Sequence, residues 1–118
     1  MMRNKEVTDY EINKTVAKYL KLNMIAYDRT GIVLFDDMDA TPFDPCNNPA
    51  DAMPIIIENK ITVIYDCINH SWCAHAGYTV EECGGGYEIV PIHCVDSDSY
   101  YRAAMEVFLM MKDAENES

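Results

Sequence analysis

From Ser71 to Val80 the chain alternates, with Trp72, Ala74, Ala76, Tyr78 and Val80 on one side and Cys73, His75, Gly77 and Thr79 on the other. That is the period of a strand with one face in a core. The run ends at Glu81 to Gly86, where Gly84-Gly85-Gly86 supplies the positive φ that a reversal needs. Tyr87 to Val95 then returns as a partner strand, and Ile61 to Asp66 reads as a strand before them. Together the three predict an antiparallel β-meander, and a meander buried on one face needs helices to cover it.

Two helices are written clearly. Thr8 with Glu11 three residues on is a capping box, so a helix starts at Asp9. Ile12, Val16, Tyr19 and Leu20 fall on one stripe, with Lys14, Lys18 and Lys21 turned to water. Near the other end, Asp96 to Ser99 offers N-cap side chains ahead of the stripe Tyr100, Ala104, Val107, Phe108 and Met111, which suits a helix lying on the sheet. Between them, Asn23 to Tyr27 and Ile32 to Phe35 flank the turn-forming Asp28-Arg29-Thr30-Gly31, a short hairpin. Asn48-Pro49 reads as an N-cap with proline at the first helical position, opening a helix to about Glu58 with Met53, Ile56 and Ile57 on its buried side. Pro54 inside it predicts a kink or two short turns.

The layout predicts a small single-domain α+β fold, an antiparallel β-meander with helices packed on one face, spanning residues 1–118 with 1–8 and 114–118 frayed. The 118 residues, 49% hydrophobic and 25% charged, suit one globular core. No apolar run approaches the roughly 20 residues of a membrane span, and the start of the chain does not read as a leader.

Nine Lys and Arg against twenty Asp and Glu give a net charge of −11. Such a surface repels phosphate backbones and anionic lipid heads, so neither direct nucleic-acid binding nor membrane binding is expected. Residues 1–23 carry a net +2, a mild basic cap on an acidic body. Five cysteines, an odd number, argue against a closed disulfide framework and for reduced thiols in a cytoplasm.

The segment Phe43-Asp44-Pro45-Cys46-Asn47-Asn48-Pro49-Ala50-Asp51-Ala52-Met53-Pro54-Ile55-Ile56-Ile57-Glu58-Asn59 resembles the signature of the NinX family of temperate phages of enteric bacteria. So do Asp9-Tyr10-Glu11-Ile12-Asn13-Lys14, the isolated Trp72-Cys73-Ala74, and Arg102-Ala103-Ala104-Met105 with the apolar run Val107 to Met111. Asn48, Pro49, Ala50, Asp51, Pro54, Trp72, Ala74 and Arg102 are the motif positions. Met53 departs from the pattern, where the family has Trp. The resemblance implies an accessory protein encoded near the recombination and late-control region of such phages and made in the cytoplasm of the infected bacterium. It brings no catalytic residues to this chain.

Candidate chemistry is sparse. Cys67, Cys73 and His75 would converge on one Zn²⁺ if the 61–66 and 71–80 strands pair, but their spacing is not that of a zinc knuckle, and small buried cysteines beside a hydrogen-bonded histidine explain the same letters. Asp36, Asp37, Asp39 and Asp44 lie in an acidic loop, 36–48, that lacks the glycine and terminal glutamate of an EF-hand. Cys46 precedes a helix start and has histidines elsewhere as possible bases, a coincidence expected by chance. The expectation is therefore no enzyme, no cofactor and no metal.

The favoured function is a non-enzymatic acidic protein that binds a host or phage protein with a basic surface, using the loop 36–51, with Asp36, Asp37, Asp39 and Asp44, and the turn near Glu81 and Glu82. One alternative is a DNA-mimicking inhibitor of a host defence nuclease, which requires carboxylates at about the 7 Å spacing of phosphates. The other is a small metal protein or enzyme built on Cys67, Cys73 and His75, which metal analysis of the purified chain decides. A homodimer is also open, because Phe108 and Met110-Met111 suit a core or an interface.

Overall fold

A computed structural model describes residues 7–117, and the fraying expected of residues 1–6 and 118 lies outside them. The element order is α1 (Asp9–Tyr19), β1 (Met24–Tyr27), β2 (Ile32–Phe35), α2 (Pro49–Glu58), β3 (Thr62–Asp66), β4 (Ser71–Cys83), β5 (Gly86–Ser97) and α3 (Tyr100–Glu117). β1 and β2 form a two-stranded antiparallel sheet, and β3-β4-β5 a three-stranded one. The predicted α+β class and the meander are both present. α3 is helical through residues 114–117, the stretch assigned to fraying.

The helix starts follow their capping chemistry. Thr8 accepts the Glu11 N–H at 3.2 Å, and the Asn48 side chain accepts the Ala50 N–H at 3.0 Å, each meeting one of the orphan donors of a helix N-terminus. The buried face of α2 differs from the expected one. Ala52, Ile55 and Ile56 point inward, Met53 is half-buried, and Ile57 is 69% exposed. Three consecutive isoleucines leave the phase of a ten-residue helix ambiguous, and the small Ala52 selects the phase by allowing close packing. Pro54 is exposed and is accommodated within one continuous helix.

α3 is more deeply placed than its stripe suggested. Ala103, Ala104, Met105, Val107, Phe108 and Leu109 are all fully buried, so this stretch is covered all round. The meander lies against it, and α1 and α2 also pack on it. Phe108, weighed as a dimer contact, lies in the chain's own core.

The long hairpin runs further than expected. β4 and β5 pair from Trp72↔Ser97 to Cys83↔Gly86, closed by a two-residue turn in which Gly84 and Gly85 take φ of 50° and 88°. Two positive φ values in succession are what a type I′ turn requires, and only glycine takes them without strain. Ala74 and Ala76 are fully buried under α3, whereas Tyr78 and Val80, expected on the same core face, are exposed. Gly77, at φ 67°, stands at the change. The projecting end lengthens the molecule to 57 × 31 × 25 Å, with a radius of gyration of 15.6 Å against the about 13.5 Å of a compact chain this long.

Candidate interaction surface

The structure separates the chain's carboxylates into those that build the fold and those that face water. Asp44 belongs to the first group. Its carboxylate accepts from the Asn13 amide at 2.7 Å and from the Asn47 amide at 3.1 Å, and its own N–H donates to Asp51 at 2.9 Å. The buried Asn13 carbonyl in turn accepts the Cys46 N–H at 3.1 Å. Asn47 also donates to Asp9 at 3.1 Å, and Asp9 receives Arg102 at 2.7 Å. Arg102 donates as well to Glu106, 3.0 Å away and only 8% exposed, and to the Val7 carbonyl. This network fastens the 43–51 segment to α1, and α1 to α3. It gives Asn48, Pro49, Asp51 and Arg102 structural work: a cap, a helix start, an acceptor for the loop and a tie between helices.

Asp37 is likewise committed, accepting the Asp39 and Ala40 N–H groups at 3.1 and 2.8 Å, an Asx turn of the loop. Asp36 and Asp39 are exposed and make no side-chain hydrogen bond or ion pair among the described residues. Of the four loop candidates, two therefore face outward uncommitted.

Cys67 lies exposed in the turn between β3 and β4, and the other two proposed ligands form a pair. Cys73 Sγ lies 3.0 Å from His75 Nε2, and across the β4–β5 ladder Cys73 stands opposite Asp96 and His75 opposite Cys94. Burial, then the hydrogen bond and charge of Asp96, push the Cys73 thiol up to about 11. It stays protonated near neutrality, the opposite of an activated thiolate. No group of three or more His, Cys, Asp or Glu among the described residues could hold a metal ion. Cys46 is buried, and desolvation, then the carboxylates of Asp9, Asp44 and Glu106, hold its thiol far above its ordinary value, only partly opposed by Arg102.

Two depressions flank α1. A shallow dish of about 610 Å³ contains Tyr10, Lys14 and Asp28. Tyr10 donates a short hydrogen bond to Asp28, and Lys14 pairs with the same carboxylate at 3.4 Å. That bond raises Tyr10 to about 12 and lowers Asp28. A narrower cleft of about 250 Å³ lies over Asn13, Val33, Phe43 and Asp44, below the range of about 300–1,000 Å³ usual for ligand pockets. Tyr10, Lys14 and Asp28 in the first, and Asn13, Asp44 and Asn47 in the second, are engaged with one another.

The outer half of the β4–β5 hairpin differs from both. Val80 is 64% exposed, Tyr87 76% and Ile89 67%, and Glu81 stands directly opposite Glu88. Like charges at directly opposed positions destabilise a ladder by about 0.2–1 kcal/mol. No signal in the alternation itself marks this half as uncovered; the glycine at 77 and the proline at 91, near one another on opposite strands, are the letters that do.

The fold defines a small α+β protein in which no helix among the described residues is long and apolar enough to cross a membrane. A 2.0 Å crystal structure of a phage protein from Bacillus cereus ATCC 14579 shares the fold, with a TM-score of 0.56 over 96% of this chain and 94% of that one at 13% identity. The chain belongs to the NinX family: the family profile described as Bacteriophage P22, NinX, matches residues 3–112. No curated protein matches it in sequence.

Proposed function

We propose that the chain is a non-enzymatic accessory protein that works in the cytoplasm of the infected bacterium by binding a host or phage protein with a basic surface. The observation that carries the reading is the division of carboxylates. Asp9, Asp44, Asp51 and Glu106 are held by internal hydrogen bonds, while Asp36, Asp39, Glu81, Glu82 and Glu88 are exposed with no cation beside them among the described residues. Structural demand accounts for the first set and leaves the second unexplained. An outward negative field speeds encounter with a cationic protein and repels nucleic acid and anionic lipid.

The test is affinity purification of the tagged chain from infected cells, followed by stepwise salt elution. A specific protein released between about 0.1 and 0.5 M salt, beyond which surface charges are largely screened, is the expected result. Retention of DNA or RNA instead, or recovery of the chain alone, sinks the proposal.

A further inference from the structure

β3 pairs with β4 only over Ser71–His75, and beyond Ala76 the register of β4 and β5 continues through six more pairs, Tyr78↔Pro91 to Cys83↔Gly86. At the usual rise per residue this is an arm about 20 Å long. A two-stranded ribbon is marginal in water, and a solvated one is expected to carry polar side chains. This one bares Tyr78, Val80, Tyr87, Ile89 and Ile92. Val80 lies opposite Ile89, Tyr78 opposite Pro91 and Tyr87 opposite Glu82, while Glu81 faces Glu88. The sequence adds a second asymmetry: between Ile61 and Tyr101 there is no Lys or Arg, against Asp66, Glu81, Glu82, Glu88, Asp96 and Asp98.

We infer that the outer half of this hairpin is the docking arm for a protein whose surface carries an apolar strip flanked by Arg or Lys. The inference rests on the protein-binding function proposed above and names its surface. Tyr78, Val80, Tyr87 and Ile89 share one face of the ladder with Glu82 and supply the desolvated contact beside its carboxylate, while Glu81 and Glu88 lie on the opposite face and add to the field that steers a cationic partner. A second copy of the chain fits poorly, because it brings the same glutamates and another net charge of −11. Strand addition along the outer edge of β5 is also poorly served. Pro91 has no N–H to offer, a device that protects edge strands.

The experiment compares four full-length chains: the natural one, Glu82→Lys, Val80→Thr with Ile89→Thr, and Asp36→Lys with Asp39→Lys. Circular dichroism melts first establish that each is folded, and sedimentation establishes its oligomeric state. Proteins retained from infected-cell extract by the natural chain are identified by mass spectrometry. The principal one is then purified and titrated calorimetrically against all four chains at about 50 and about 300 mM salt. The arm predicts binding about tenfold or more weaker for both arm variants, with little change for the loop variant. Equal affinity of the purified partner for the natural chain and the arm variants overturns the arm and leaves protein binding standing. Retention of no protein, or of nucleic acid, overturns both. A natural-chain dimer that the arm variants abolish overturns the basic partner in favour of self-association.

Discussion

Ala76 and Val80 stand four residues apart on one strand and in one alternation, yet Ala76 is fully buried and Val80 is 64% exposed. The inner half of the hairpin is cemented between β3 and α3. Trp72 there stacks edge-on against Tyr65 and Tyr100, with ring centres 5.0 and 5.2 Å apart. The outer half keeps the same ladder with no such cover. Strand formation and core membership are thus separate properties: the first is set by local pattern and turn chemistry, the second by where the covering helix lies. Ala74 and Ala76, both fully buried, let α3 approach closely, whereas Tyr78 and Val80 at the next positions of the same alternation are exposed.

The sharpest way to break this contrast is the same side chain placed in each half. Ala76→Glu forces an unpaired carboxylate and four extra heavy atoms into a filled core, and should destabilise by about 4 kcal/mol or more. Val80→Glu should change stability by no more than about 0.5 kcal/mol. Urea-unfolding midpoints of the two variants measure the difference, and comparable losses would mean that the outer half is part of the cooperative core. A second probe acts on the cover. Arg102→Met strands Glu106, leaves Asp9 without its cation and cuts the tie from α3 to α1. The expected loss is about 2–4 kcal/mol, because the carboxylate left behind is largely buried. Hydrogen exchange should show faster opening of α3 and the inner ladder. Amides of the outer arm, which open locally in any case, should change little.

Much of this architecture was legible, and most of what was not depends on partners distant in the chain. The caps at Thr8 and Asn48, the Gly84-Gly85 reversal and the three strands all rest on interactions within a few residues. Asp44 was read as a free carboxylate because its partner Asn13 lies 31 positions away. The grouping of Cys67 with Cys73 and His75 rests on the pairing of two strands; they do pair, yet Cys67 lies in the exposed turn and the neighbours of Cys73 and His75 across the other ladder are Asp96 and Cys94. The exposure of Tyr78 and Val80 depends on where α3 lies, which periodicity does not encode. The family signature around residues 43–51 was recognisable, and its work proves to be the anchoring of a loop.

The two ends of the hairpin region also differ in their response to acid. At the inner end, Asp66 accepts the Ile68 and Asn69 N–H groups at 2.9 and 3.1 Å, and these bonds with the Asn69 side chain hold its carboxyl below the usual 3.8. The unfolded chain therefore takes up this proton first. The stabilisation is present above the ordinary carboxylate value and is lost as pH falls below about 4. The Gly84-Gly85 turn has no such group. Asp66→Asn should accordingly flatten the acid limb of stability against pH, leaving the part that the similarly lowered Asp28 contributes. Melting temperatures between about pH 5 and 2.5 measure it, and an unchanged limb would show that the turn does not matter to acid stability.

The smallest expected effect is also the one that bears most on what the arm is for. Glu88→Lys turns the Glu81–Glu88 repulsion into an attraction across the ladder, and should stabilise the arm by about 0.2–1 kcal/mol. Global unfolding will scarcely register it, because the arm opens without the core; amide exchange of residues 79–90 will, as slower local opening. If exchange there is unchanged, the two glutamates do not strain the arm and their placement carries no message. If it slows as expected, a single substitution improves a segment that the chain has left under repulsion. Proteins retain such avoidable strain where a surface is kept for something other than stability, and here the strained segment is the one that the inner half does not need.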